Sequence, residues 1–242
     1  MIGKRVFSYG LWAVTLPAAC GLMPLACAQG FRITAHRARC IIVLLDETGS
    51  DIADFDAMRQ HISTIAERLS SDDAFAVIAI NDHAGEADNV RVDLTSLHAG
   101  PLEMAKLNQQ RDKIVQQVKS LKPQGHPKFT DVVGAIRQAR DVASQARAIS
   151  AQTNSHMEMN VVLTFFSDMQ QTPHMPTPSD FQGIQFPEGT KAYCYYVAAP
   201  GKKGIDSTRA IWRPLLNSAG ISITDNDFNQ KGTVDAAINS TF

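Results

Sequence analysis

The chain alternates apolar runs with segments whose apolar residues recur at helical spacing. Cys40-Ile41-Ile42-Val43-Leu44-Leu45 is continuously apolar, which predicts a strand buried on both faces. From Asp54 to Leu69, Phe55, Met58, Ile62, Ile65, Ala66 and Leu69 fall on one helical face. Ala74 to Ile80 is a second apolar run between acidic flanks. Asn89 to Leu97 alternates Val90, Val92 and Leu94 with Arg91 and Asp93, the pattern of a half-exposed strand. Residues 101–121 predict a helix with Pro101 in its first turn, and residues 130–151 another. Asn160 to Phe166 and Ala192 to Ala198 predict two more buried strands. A helix over Ser207 to Leu216 and a short strand over Ile221 to Thr224 complete the series. Strands alternating with helices predict a parallel sheet covered on both faces, in one α/β domain.

The N-terminus follows a different pattern. Lys4 and Arg5 precede an uncharged stretch from Val6 to Phe31, and Ala26-Cys27-Ala28 stands before Gln29. A basic start, an apolar middle and a small-x-small end predict a secretory leader over residues 1–28, cut after Ala28. Two alternatives stay open. The uncharged run is long enough for a retained membrane anchor, although Pro17, Gly21 and Pro24 weaken such a helix. Lipid attachment at Cys27 or Cys20 is the other, against which Pro24 and Pro17 stand where bacterial lipoprotein leaders usually carry Leu. Each of the three predicts an exported chain: periplasmic, secreted or held at a membrane. Residues 29–39 then read as basic lead-in sequence rather than core, with the lead-in bounded at 29–37 and the domain proper over 38–242.

Composition narrows the classes. A formal charge of −1 among 242 residues provides no basic footprint, so nucleic acid is not an expected partner. Four cysteines are too few for a disulfide-dense scaffold. No internal repeat is visible, which excludes solenoids and propellers.

Chemistry in an open α/β sheet is expected beyond the carboxyl ends of its strands. The first strand runs into Asp46-Glu47-Thr48-Gly49-Ser50, and the strand at 160–166 runs into Ser167-Asp168. Thr130-Asp131 opens a helix between them in sequence. Asp46, Thr48, Ser50, Thr130 and Asp168 therefore converge at one edge, all offering oxygen, a set suited to Mg²⁺ or another hard cation.

Asp46-x-Thr48-x-Ser50, Thr130 and Asp168, taken with their flanking apolar elements, resemble the metal-ion-dependent adhesion site of von Willebrand factor A (vWA) domains. The resemblance spans about residues 38–225. It implies a doubly wound, mostly parallel central sheet with helices on both faces and one antiparallel edge strand. It also implies ligation of a divalent cation, Mg²⁺ or else Mn²⁺ or Ca²⁺, by the hydroxyls of Thr48 and Ser50. Thr130 would join them directly in some conformations, with Asp46 and Asp168 acting largely through bound water. A protein partner's acidic side chain would complete the shell, so the implied role is adhesion rather than catalysis. The chain departs from the family pattern at Thr48, where Ser is more frequent, and at Met169, where Gly is common. Glu47 adds a charge that either favours the cation or faces solvent.

Plainer readings compete for the same residues. Asp, Ser and Thr after strands are ordinary turn and cap residues, and Thr130 suits a helix N-cap. A metal-free structural component of an envelope or secretion assembly would need no more than that. A metal-dependent hydrolase would need a general base, with Glu47, Asp131 and His126 as candidates. His61 follows Ser50 on a predicted helix without a nucleophile motif and reads as a surface histidine. A phosphatase of the haloacid dehalogenase type would need an acid where Thr48 stands. Gly201-Lys202-Lys203-Gly204 reads as a basic turn rather than a phosphate loop. Cys40 and Cys194, two strands apart at roughly 10 Å, are expected to be buried free thiols. Residues 170–187 form either a recognition loop beside the site or a surface connection with its own packing.

Overall fold

The first strand, β1 (Arg39–Asp46), is buried along its whole length, because strands flank it on both sides and helices cover both its faces. The computed structural model describes residues 38–48, 54–82, 84, 89–100, 102–123, 127, 129–153, 159–195, 202–228 and 235. The expected leader and nearly all of the lead-in lie outside the described residues. After β1 come α1 (Phe55–Glu67), β2 (Ala74–Ile80), β3 (Val90–Ser96), α2 (Met104–Ser120) and α3 (Val132–Thr153). The chain continues through β4 (Asn160–Phe166), β5 (Lys191–Tyr195) and α4 (Lys202–Ser218).

The sheet order is β3-β2-β1-β4-β5, parallel throughout except for β3, which pairs antiparallel with β2 at one edge. It is the covered, mostly parallel sheet that the pattern predicts, doubly wound and with the antiparallel edge strand that the family resemblance implies. Alternation along the central strands sorts their side chains between two cores. Cys40, Ile42 and Leu44 pack with α3 and α4, while Ile41, Val43 and Leu45 pack with α1 and α2. Each such fully buried aliphatic side chain contributes on the order of 1.5–3 kcal/mol. No helix among the described residues is long and apolar enough to cross a membrane.

The structure corrects several local expectations. Arg39 is not part of an exposed lead-in: it opens β1, and its guanidinium pairs with Asp73 at 2.6 Å, with both side chains buried. The second predicted helix starts at Met104, behind a turn in which the Glu103 carboxylate accepts the Gly100 amide; Pro101 lies outside the described residues. Lys202, Lys203 and Gly204 form the first turn of α4 rather than a basic turn before it. The segment Ile221–Thr224 is not a sixth strand. It contributes one parallel bridge, Ser222 to Lys191, before a 3₁₀ turn over Asp225–Asp227.

Residues 170–187 carry their own packing, through a 3₁₀ turn over Pro178–Phe181 and buried Phe181, Ile184 and Phe186. Arg137 and Arg140 of α3 hold this segment by donating to the carbonyls of Asp180 and Gly183. Cys40 and Cys194 are free and buried. Cys40 pairs with Val161 of β4 and Cys194 with Phe165, so they are offset along the strands as well as separated across them.

Candidate functional site

Strand order reverses about β1: β2 lies on one side, and β4, reached only after two more helices, lies on the other. Ligand crevices in doubly wound sheets open at such a switch point, beyond the carboxyl ends of the strands. Asp46 ends β1 there, and the register places Ser167 beside it, one residue past the Leu45–Phe166 pair.

Asp46 is fully buried and held by hydroxyls and an amide. Its Oδ1 accepts from the Thr48 amide at 2.8 Å and the Thr48 hydroxyl at 2.6 Å, and its Oδ2 accepts from the Ser167 hydroxyl at 2.6 Å. Burial pushes the Asp46 carboxyl above its ordinary pKa, and the nearby Asp168 carboxylate pushes it the same way, while the donated hydrogen bonds oppose both. Asp168, itself buried, accepts the Gln170 amide at 2.9 Å. Two carboxylates thus share a buried corner of the molecule.

Thr130 reaches this edge through backbone bonds on both sides. The Asp131 amide donates to the carbonyl of Asn81, just past β2. Thr130 also exchanges two bonds with Thr172: its amide donates to the Thr172 hydroxyl at 2.7 Å, and its carbonyl accepts the Thr172 amide at 3.0 Å. The helix cap is Asp131, not Thr130. Asp131 Oδ1 accepts from the Gly134 amide, and Gln171 Oε1 accepts from the amides of Val132 and Val133. The α3 cap is thus supplied by the Asp131 carboxylate and the Gln171 amide oxygen rather than by the Thr130 hydroxyl.

Asp46, Thr48, Thr130 and Asp168 are therefore all buried on elements that meet at one sheet edge, and Ser50 lies outside the described residues. The donor chemistry fits a hard divalent cation. It consists only of carboxylate and hydroxyl oxygens, with a raised carboxyl beside a second carboxylate. Among the described residues no three His, Cys, Asp or Glu side chains cluster as a metal centre of their own.

Glu47 does not face solvent: it is buried, and its Oε2 pairs with Arg91 of β3 at 3.1 Å. Of the candidate hydrolytic bases, Glu47 is committed to that pair, Asp131 to the helix cap, and His126 lies outside the described residues. His61 on α1 meets the Tyr195 hydroxyl at 3.1 Å. Sequence reading missed Ser167, Gln171 and Thr172, which orient the site without resembling ligands. The position of Ser167, directly before Asp168 at a strand end, was the only signal available.

By sequence the chain matches no protein-family profile and no curated protein. By structure it is similar to proximal thread matrix protein 1 from the mussel byssus, at a TM-score of 0.51 and 12% identity over 84% of this chain and 47% of that one. It is also similar to a von Willebrand factor type A protein from Catenulispora acidiphila, at 0.47 and 18% over 84% and 42%. The pilus adhesin SpaC from Lactobacillus rhamnosus GG superposes at 0.49 and 11% over 84% and 30%. The chain spans less than half the length of each of these proteins. At such identities the likeness speaks for the fold alone, and the sheet order describes that fold as a doubly wound α/β domain.

Proposed function

We propose that the chain is an exported, non-enzymatic binding domain that recognises a protein partner through a divalent cation, Mg²⁺ by preference, at the β1–β4 edge. Thr48, Ser50 and Thr130 supply hydroxyl ligands, while Asp46 and Asp168 orient them and balance charge. Thr48 is pre-aimed by its bond to Asp46, and Ser167 holds the other Asp46 oxygen, so the carboxylate keeps one orientation. A cation held mainly by neutral oxygens retains positive charge with which to accept an acidic side chain from the partner. The observation that carries this reading is that Asp46, Thr48, Thr130 and Asp168 are all buried at the ends of elements that meet at this edge, with the α3 cap supplied by Asp131 rather than Thr130. Export rests on the leader pattern of residues 1–28.

One observation favours a metal-free scaffold instead: protein donors reach both Asp46 oxygens. Calorimetric titration of the metal-stripped protein with Mg²⁺ and Mn²⁺ decides between the two. One-site binding, lost in Asp46→Ala and in Thr130→Ala, is the expected result. Absence of binding, or binding indifferent to both substitutions, establishes the scaffold reading.

A further inference from the structure

A continuous chain of hydrogen bonds leads from the Asp46 carboxylate to the core of α4. The Ser167 hydroxyl donates to Asp46 Oδ2 at 2.6 Å and accepts the Met169 amide at 2.8 Å. The Met169 carbonyl in turn accepts the indole N–H of Trp212 at 2.8 Å. Trp212 and Met169 are both buried, and Trp212 packs edge-on to Phe181. Met169 has φ of 55°, a left-handed conformation that a residue with a β-carbon disfavours. A buried indole N–H needs an acceptor, and here the acceptor belongs to the one residue between the site and α4 whose backbone must be held.

We propose that Trp212 is a positioning residue for the carboxylate site: it holds Met169 in the left-handed conformation, so that the Met169 amide fixes the Ser167 hydroxyl on Asp46. Its consequence for cation binding rests on the function proposed above; its consequence for the geometry of Asp46 does not. Without the indole bond, Met169 relaxes toward ordinary backbone angles, its amide leaves Ser167, and the Asp46 carboxylate loses a fixed donor. Glycine at 169 adopts the left-handed region without a β-carbon penalty and makes the bond unnecessary.

The test compares the wild-type chain with Trp212→Phe, the double variant Trp212→Phe/Met169→Gly, and Leu216→Ala. Leu216 is a fully buried residue of the same helix outside the hydrogen-bonded chain, so it controls for lost packing. Amide hydrogen exchange is read at residue 169 and at Thr48, whose amide rests on Asp46, relative to the amides of β1. Trp212→Phe is expected to speed exchange at both on the order of five- to tenfold, the scale of one net hydrogen bond. The double variant restores Thr48 protection, and Leu216→Ala leaves both amides level with β1. Mn²⁺ affinity, measured in parallel, follows the same order. If Trp212→Phe and Leu216→Ala act alike, or if glycine restores nothing, Trp212 is only a core residue and the proposal is overturned. Failure of the wild type to bind Mn²⁺ defeats the cation reading alone, because the exchange measurement still decides the positioning role.

Discussion

Ser167 and Asp46, 121 positions apart in sequence, are joined by a 2.6 Å hydrogen bond between fully buried side chains. Parallel pairing of β1 with β4 sets them side by side just past the ladder, and the bond carries the strand register into the candidate site. The Ser167 hydroxyl also accepts the Met169 amide, so a single oxygen orients the carboxylate and shapes the turn after β4.

Replacing Ser167 with Ala removes a donor from a buried carboxylate and an acceptor from a backbone amide. Two buried polar groups lose partners, and each such loss costs about 1–3 kcal/mol. Urea denaturation should show stability lowered by about 2–6 kcal/mol in total, with an unchanged dependence on denaturant. If the cation reading holds, Mn²⁺ affinity falls as well. Wild-type stability in Ser167→Ala would mean that water replaces the hydroxyl at no cost.

Gly134 sits where α3 begins, and no larger residue fits there. A β-carbon at this position would overlap the Asp131 carboxylate and lie 2.6 Å from the carbonyl of Ala84. Because Asp131 caps the helix through the Gly134 amide, Gly134→Ala should displace the cap along with the Thr130 segment attached to it. The expected cost is about 1–3 kcal/mol of overpacking, read by thermal unfolding. Chemical-shift changes centred on Thr130 and Thr172 would locate the displacement.

At the opposite end of β1, Asp73 binds the Arg39 amide at 2.9 Å and the Arg39 guanidinium at 2.6 Å, and also accepts the Ser70 amide. Asp73→Ala deprives a buried guanidinium of its carboxylate, which typically costs about 3–5 kcal/mol. Equilibrium unfolding measures it. A loss under 1 kcal/mol would show that water reaches Arg39 in the variant.

Burial pushes the Cys40 thiol up to about 12, with the Asp73 charge adding to the effect, and raises Cys194 well above the usual thiol value. Both therefore remain protonated thiols at pH 8, where an ordinary cysteine is partly thiolate. Alkylation with iodoacetamide, mapped by peptide mass spectrometry, should leave both unmodified in the native protein between pH 7 and pH 9. Urea should expose both to rapid modification. Labelling of either without denaturant would reveal local opening of β1 or β5.

The sequence alone determined the elements that depend on composition and period. Both faces of β1, β2 and β4 are covered, so these strands read as unbroken apolar runs; β2 and β4 fall where that pattern places them, and β1 is one residue longer at each end. The half-exposed alternation of β3 likewise follows from its place at the sheet edge. The sequence also placed Asp46 and Asp168 at or just past the ends of β1 and β4, where ligands of doubly wound sheets bind.

What needed the tertiary structure was the assignment of each polar group to a partner. Asp131 rather than Thr130 caps α3, because the backbone bond to Asn81 brings the Asp131 carboxylate over the first turn. Arg39 is core rather than lead-in because β2 delivers Asp73 to it, and Glu47 is inward because β3 delivers Arg91. The left-handed Met169 is stabilised by an indole 43 residues away. Hydrophobic period is a local property that one strand or helix can display by itself. Hydrogen-bond and ion-pair satisfaction is a property of chain segments brought together, so it was decided only when the sheet and its helices had closed around these residues.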